Sequence, residues 1–118
     1  MAVQSYRDLI VWQKSISFVT DIYRSTKCFP PDERYGLTAQ LRRSAVAIAS
    51  NIAEGQGRLS TGEFMQFLGR ARGSLHEVQT QLYIANNLGF IPSEGEEQLL
   101  AASVEIDKML SGLLSSLR

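Results

Sequence analysis

The chain has 118 residues, 44% of them hydrophobic and 20% charged, with only 3 prolines, which excludes a disordered or low-complexity segment. Twelve Lys and Arg residues balance twelve Asp and Glu residues, so the overall charge gives no general attraction to nucleic acid or to an anionic membrane. The single cysteine, Cys28, excludes an internal disulfide and a multi-cysteine zinc site, and we expect one domain over residues 1–118 in a cytoplasmic protein without a signal peptide or membrane span.

Hydrophobic periodicity predicts four helices and no strand. The first helix is predicted from about Asp8 to Thr26, and its core stripe is Leu9, Trp12, Ile16, Val19 and Tyr23. The second is predicted from about Tyr35 to Glu54, and its core stripe is Leu37, Leu41, Ala45, Ile48 and Ile52. Gly55 and Gly57 are predicted to end this helix, because glycine adopts the positive φ common at helix C-termini.

Two capping boxes predict where the third and fourth helices begin. Ser60 with Glu63 opens the third helix, and Ser93 with Glu96 opens the fourth, which reaches Leu117. The core stripe of the third helix is Phe64, Leu68, Ala71, Leu75, Val78, Leu82 and Ala85, and that of the fourth is Leu99, Ser103, Ile106, Leu110, Leu113 and Leu117. Gly89 is predicted to end the third helix in a Schellman motif. Short connections favour an all-α, antiparallel up-down-up-down four-helix bundle.

Helices 1 and 2 carry more apolar surface than one buried stripe requires. On helix 1, a second stripe projects about 120–160° away from Ile16, and helix 2 has a similar second face. A helix that is apolar all round is buried all round, so we predict a homo-oligomer. Its predicted interface is Val11, Phe18, Ile22, Val46, Ala49 and Ala53. The alternative is that these residues are scattered surface hydrophobes without a partner.

The sequence carries no recognisable catalytic or metal-binding constellation. The chain has one histidine, His76, and no Glu-x-x-His pair, which excludes a di-metal carboxylate site of the ferritin type. Ser74 lies within the predicted third helix, whereas a nucleophile elbow needs a strand-to-helix turn. We therefore predict no enzymatic activity, no cofactor and no metal.

The middle of the chain is basic and its end is acidic. Residues 34–76 carry six arginines against two glutamates, whereas residues 77–118 carry two basic against six acidic groups. The candidate nucleic-acid-binding residues are Arg42, Arg43, Arg58, Arg70 and Arg72. An oligomer would repeat them into a ring of positive potential that a phosphate backbone could follow. The alternative is that each arginine forms a salt bridge within or between subunits.

Several motifs resemble a known family over nearly the whole chain. They include Asp-Leu-Ile-Val-Trp-Gln-Lys at 8–14, Glu-Arg-Tyr-Gly-Leu-Thr at 33–38, Gln-Leu-Arg-Arg-Ser-Ala at 40–45 and Asn-Ile-Ala-Glu-Gly at 51–55. The chain resembles the four-helix-bundle proteins encoded in intervening sequences of bacterial 23S ribosomal RNA genes and, more distantly, the accessory protein of diversity-generating retroelements. Four residues of these motifs are predicted to be structural: Trp12, Asn51, Glu54 and Gly55.

The resemblance implies a homopentamer and, through the retroelement relative, RNA or a nucleic-acid enzyme as a partner. The neutral charge of this chain differs from that basic relative. The sequence thus predicts a non-enzymatic oligomeric scaffold that binds RNA, DNA or an RNA-processing partner through arginines, without a membrane partner. The alternative is a purely protein-binding assembly module whose arginines form intersubunit salt bridges.

Overall fold

The computed structural model describes residues 5–118 as four α-helices packed together, and this part of the chain contains no strand. The helices are α1 (Ile10–Thr26), α2 (Leu37–Gln56), α3 (Thr61–Asn87) and α4 (Ser93–Leu117). Short 3₁₀ turns precede α1 at Tyr6–Asp8 and α2 at Pro31–Glu33. The predicted all-α class and four helices are confirmed, while residues 1–4 of the predicted domain lie outside the described range.

Each helix packs against two others, so the four surround one core. Helix α1 contacts α2 and α4, and α3 also contacts α2 and α4, with the most extensive contact between α2 and α3. The predicted core stripes of α2, α3 and α4 are confirmed in their central parts. The fully buried residues on them include Leu41, Ala45, Ile48, Ile52, Leu68, Ala71, Leu75, Val78, Ala85, Ser103 and Leu110.

The predicted orientation of α1 is wrong. The stripe expected to face a partner subunit forms part of the core, since Val11, Phe18 and Ile22 are only 4%, 1% and 0% exposed. In contrast, Ile16 and Tyr23, which were predicted to lie in the core, are 42% and 41% exposed. On α2, Ala49 of the predicted interface is also buried in the core.

Two hydroxyl side chains explain why the buried stripe of α1 looks less apolar than the exposed one. Ser15 and Thr26 lie on the buried stripe, at 0% and 4% exposure. Ser15 Oγ donates to the Val11 carbonyl at 2.7 Å, and Thr26 Oγ1 donates to the Ile22 carbonyl at 2.8 Å. Because each hydroxyl is satisfied within its own helix, its burial carries little penalty.

One of the two predicted capping boxes is present. The backbone N–H of Glu63 donates to Ser60 Oγ at 3.1 Å, which confirms the first. The second is wrong, because Ser93 is the first residue of α4 and makes no capping hydrogen bond to it. The Schellman end of α3 is confirmed, since Gly89 has φ of 77° and the Phe90 N–H donates to the Ala85 carbonyl at 2.9 Å.

Gly55 belongs to the interior of the molecule rather than to a turn. The predicted positive φ at Gly55 and Gly57 is wrong, since Gly89 is the only residue with positive φ between residues 5 and 118. Gly55 lies within α2 and is buried against α3. A Cβ atom at Gly55 would lie 2.6 Å from Phe67 Cβ and 3.0 Å from Phe64 Cδ1. Glycine therefore allows the close approach of α2 and α3 at this end.

Candidate functional site

A row of apolar side chains covers the outside of α1 beside α2. On α1 it comprises Trp12, Ile16, Val19 and Tyr23, whose spacing of three and four residues places them on one side of the helix. Trp12 and Val19 are half-buried against the core, whereas Ile16 and Tyr23 are exposed. The guanidinium of Arg42 lies 4.7 Å from the centre of the Tyr23 ring, so this row adjoins α2.

Helix α2 continues the apolar surface. Val46 and Ala53 follow Arg42 by four and eleven residues, so all three lie on the same side of α2. Val46 is 41% exposed and Ala53 is half-buried. We define the α1–α2 outer face as Trp12, Ile16, Val19, Tyr23, Val46 and Ala53.

The predicted oligomer interface divides between the core and this face. Val46 and Ala53 lie on the α1–α2 outer face, as required of residues that contact a partner. Val11, Phe18, Ile22 and Ala49 are enclosed within the single chain and are not accessible to a partner. The sequence predicts surplus apolar surface on helices 1 and 2, but on α1 the exposed side chains, Ile16 and Tyr23, belong to the stripe predicted to face the core.

The candidate arginines do not form one patch within the chain. Arg42 and Arg43 lie on opposite flanks of α2, the first against α1 and the second beside Glu77 of α3. Arg72 points towards α4 and forms an ion pair with Asp107, at 2.8 Å between Nε and Oδ1. Such a charge-assisted bond neutralises the guanidinium within the chain.

Arg58 and Arg70 come together at the end of the bundle where α2 meets α3. Each guanidinium lies 4.6 Å from the centre of the Phe67 ring, a cation–π arrangement. Arg58 also lies 3.9 Å from Glu54, and both side chains of this pair are substantially exposed. An exposed pair at that distance is weak, so these two arginines keep most of their positive potential.

The four motif residues predicted to be structural have structural surroundings. Trp12 packs on the core and meets the Tyr6 ring edge-on at 5.1 Å. Asn51 is half-buried and its amide donates to the Ala47 carbonyl at 2.8 Å. Glu54 has the nearby cation expected for a carboxylate at a helix C-terminus. Gly55 provides the close contact with Phe67 described above.

The groove between α2 and α3 is polar, unlike the α1–α2 outer face. Ser44 Oγ donates to Glu77 Oε2 at 3.2 Å, and Gln40 and Arg43 line the same groove. Gln81 is buried there, and its Oε1 atom has no hydrogen-bond partner among residues 5–118. Most polar groups of this groove therefore lie beside other polar groups of the same chain.

Residues 5–118 contain neither a metal-binding cluster nor a helix that could span a membrane. Within residues 5–118, no group of three or more His, Cys, Asp or Glu side chains is arranged to hold a metal ion. None of the helices in this range is long and apolar enough to cross a membrane.

Comparison with known proteins identifies the family. The model of the 23S rRNA-intervening sequence protein family matches residues 7–112. The chain belongs to this family. The resemblance seen in the sequence motifs is therefore confirmed, and the match covers all four helices apart from the end of α4.

A solved structure has a similar fold. It is the crystal structure of a protein of unknown function from the S23 ribosomal protein family of Bacteroides thetaiotaomicron VPI-5482. The TM-score is 0.81 at 25% sequence identity, and the alignment covers 89% of this chain and 98% of that chain. No curated protein matches the chain.

Proposed function

We propose that the protein is a non-enzymatic, cytoplasmic scaffold that works as a homo-oligomer assembled through the α1–α2 outer face. The observation that carries this proposal is the exposure of Ile16, Tyr23 and Val46 on one side of the chain. Contiguous apolar side chains on a surface favour a partner, because their burial releases about 25 cal/mol per Å². The family resemblance supports five copies, with a mass five times the 13.1 kDa of one chain.

Within each copy, we propose that consecutive helices run antiparallel. The contact of Arg42 with Tyr23 joins the start of α2 to the end of α1. The contact of Gly55 with Phe67 joins the end of α2 to the start of α3. Such contacts, together with short connections, favour the up-down-up-down order. The α1–α2 outer face is then one continuous strip along both helices.

A matched pair of substitutions tests the assembly. Ile16→Glu places a carboxylate on the α1–α2 outer face and should convert the oligomer into folded monomers, because an unpaired charge in an apolar interface is costly. Ile84→Glu is the control, since Ile84 is 43% exposed, like Ile16 at 42%, but lies on α3 beside Gln81. Light scattering measures the mass and circular dichroism checks the helices.

Two outcomes would contradict the proposal. If the wild-type protein at micromolar concentration has the mass of one chain, it is a monomer and the proposed oligomer does not exist. An Ile16→Glu protein that keeps the wild-type oligomeric mass would show that assembly uses another surface, and equal dissociation by Ile84→Glu would have the same meaning.

A second candidate function is the binding of RNA or DNA, or of an RNA-processing partner, favoured by the two arginines on Phe67. Arg58 and Arg70 present two neighbouring guanidiniums at one end of the bundle, and assembly would repeat this pair in every copy. The dispersal of Arg42, Arg43 and Arg72 gives this function less support than assembly. If the arginines instead pair across subunits, the protein is purely a protein-binding assembly module.

Salt titrations on the assembled protein separate these alternatives. Binding of an oligonucleotide duplex through the pair should weaken with salt by a slope of about 0.9 per neutralised phosphate. Arg58→Gln with Arg70→Gln should flatten the slope without changing the mass of the oligomer, whereas Lys108→Gln on α4 should leave it unchanged. Absence of binding at low salt, together with dissociation of the double variant, would favour the assembly module.

A further inference from the structure

A basic cavity lies at the end of the bundle where the chain passes from α1 to α2. Its volume is about 310 Å³. Three cationic residues line it, Lys27, Arg34 and Arg42, together with Thr26 and Thr38 and an apolar wall at residues 29–31. Lys27 and Arg34 are not among the candidate nucleic-acid-binding residues predicted from the sequence. Both lie in the segment that connects α1 and α2.

Arg42 is held in place without being neutralised. Its Nε donates to Thr26 Oγ1 at 2.9 Å, and its Nη2 donates to the Tyr23 carbonyl at 3.3 Å. Both acceptors are uncharged, as is the Tyr23 ring beneath the guanidinium. A guanidinium has five N–H donors, so further donors of Arg42 remain for a ligand. The side chain is thus oriented in advance, and its full charge remains.

Carboxylates do not line this cavity. None of the ion pairs formed by residues 5–118 involves Lys27, Arg34 or Arg42, although every Asp and Glu of the chain lies in that range. The nearest acidic residues in the sequence, Asp32 and Glu33, belong to the connecting segment. Glu33 Oε1 accepts the Leu37 N–H at 2.9 Å, so its carboxylate caps α2.

We propose that this cavity binds a terminal phosphate group, carried by a nucleotide or by the end of a nucleic-acid strand. A phosphate monoester carries a charge of about −1.5 to −2 at neutral pH, which matches three cationic residues around one cavity better than the single charge of a phosphodiester does. The Thr38 hydroxyl adds a donor for its oxygens, whereas the Thr26 hydroxyl already donates to the Ile22 carbonyl and serves to hold Arg42. The cavity is larger than a phosphate group, and its apolar wall can contact the sugar or base attached to it. All of the residues that line the cavity come from one copy of the chain.

Calorimetry at low ionic strength, about 0.05 M, tests this site on the full chain. Adenosine 5′-monophosphate should bind, and adenosine should not. Arg34→Gln should weaken binding about tenfold or more, as expected for the loss of a charge-assisted bond. The Arg34 side chain is exposed and takes part in none of the ion pairs within residues 5–118, so this variant should fold normally. Arg24→Gln is the control, because Arg24 is also basic and near this end but does not line the cavity.

A second arm distinguishes the source of the phosphate. A short single-stranded RNA with a 5′-phosphate is compared with the same RNA carrying a 5′-hydroxyl. Preference for the phosphorylated RNA over the nucleotide assigns the cavity to a strand end, whereas binding of the nucleotide alone assigns it to a free nucleotide; both outcomes support a phosphate site. The proposal is wrong if neither phosphorylated ligand binds more tightly than its phosphate-free counterpart. It is also wrong if Arg24→Gln weakens binding as much as Arg34→Gln.

Discussion

The two sides of α2, one facing α3 and the other facing α1, differ in how much of their apolar surface is buried within a single chain. On the α3 flank, Gly55 brings the helices close together, and the groove above is lined by polar groups such as Ser44 and Glu77 that bond to each other. On the α1 flank, Ile16 and Val46 remain exposed although both are apolar. The α1 flank therefore exposes apolar side chains of two helices side by side, whereas the α3 flank is closely packed at one end and lined mainly by polar residues, with Ile84 as its exposed apolar residue.

This difference separates residues that the fold needs from residues that a partner needs. Substitution on the closely packed flank should change the free energy of unfolding of one chain. Substitution on the open flank should change the mass of the assembly and leave the helices intact. The two flanks can therefore be distinguished by which measurement responds.

The largest expected effect belongs to the inner stripe of α1. Phe18→Asp should unfold the chain, because it removes a fully buried ring and places a carboxylate in the core, at a cost of about 4–5 kcal/mol or more. Ile16→Asp, two residues earlier, should keep the helical circular dichroism. If Phe18→Asp remained helical and merely dissociated, Phe18 would belong to an interface and the two stripes of α1 would have to be exchanged.

A smaller effect is expected where α2 and α3 meet. Gly55→Ala should destabilise the chain by about 1–3 kcal/mol, because the added methyl group would lie 2.6 Å from Phe67 Cβ. Gly69→Ala is the matched control, since nothing lies within 4 Å of its Cβ position. It should stabilise α3 by about 0.5–1 kcal/mol. Urea unfolding gives both values, and a stable Gly55→Ala protein would mean that the helices are not closely packed there.

The smallest effect concerns the start of α3. Ser60→Ala should cost about 1 kcal/mol, because Ser60 Oγ accepts the Glu63 N–H and no other side chain replaces it. Ser93→Ala should cost less, since Ser93 makes no capping bond to α4. Thermal unfolding of the two variants side by side checks the difference. Equal losses would show that the second predicted capping box contributes after all.

Periodicity predicted the helices well and the orientation of α1 badly, for a physical reason. Helix α1 has two apolar stripes, and a repeat of three and four residues does not indicate which of them faces the core. The outer stripe contains Ile16, which is exposed, and Trp12 and Val19, which are half-buried, whereas the buried stripe includes Ser15 and Thr26. Hydrophobicity alone therefore favours the wrong stripe, because it does not count hydroxyls bonded to their own helix.

The sequence also does not show which of the basic residues lie together on the surface. Adjacent positions such as Arg42 and Arg43 differ by about 100° around a helix, and their neighbours depend on how the helices pack. Lys27 and Arg34 are separated by the connecting segment, and only its path brings both to the cavity beside Arg42. Charge counted along the sequence locates basic segments, but it does not show which cations share a surface.

The close contact at Gly55 also connects the interior of the protein with its surface. The Phe67 side chain that limits the size of residue 55 is the same one on which Arg58 and Arg70 rest. Close-packed interiors transmit displacements to their neighbours. A methyl group added at residue 55 would therefore move two guanidiniums that it never touches, and the spacing of a pair of surface charges is set by the smallest side chain of α2.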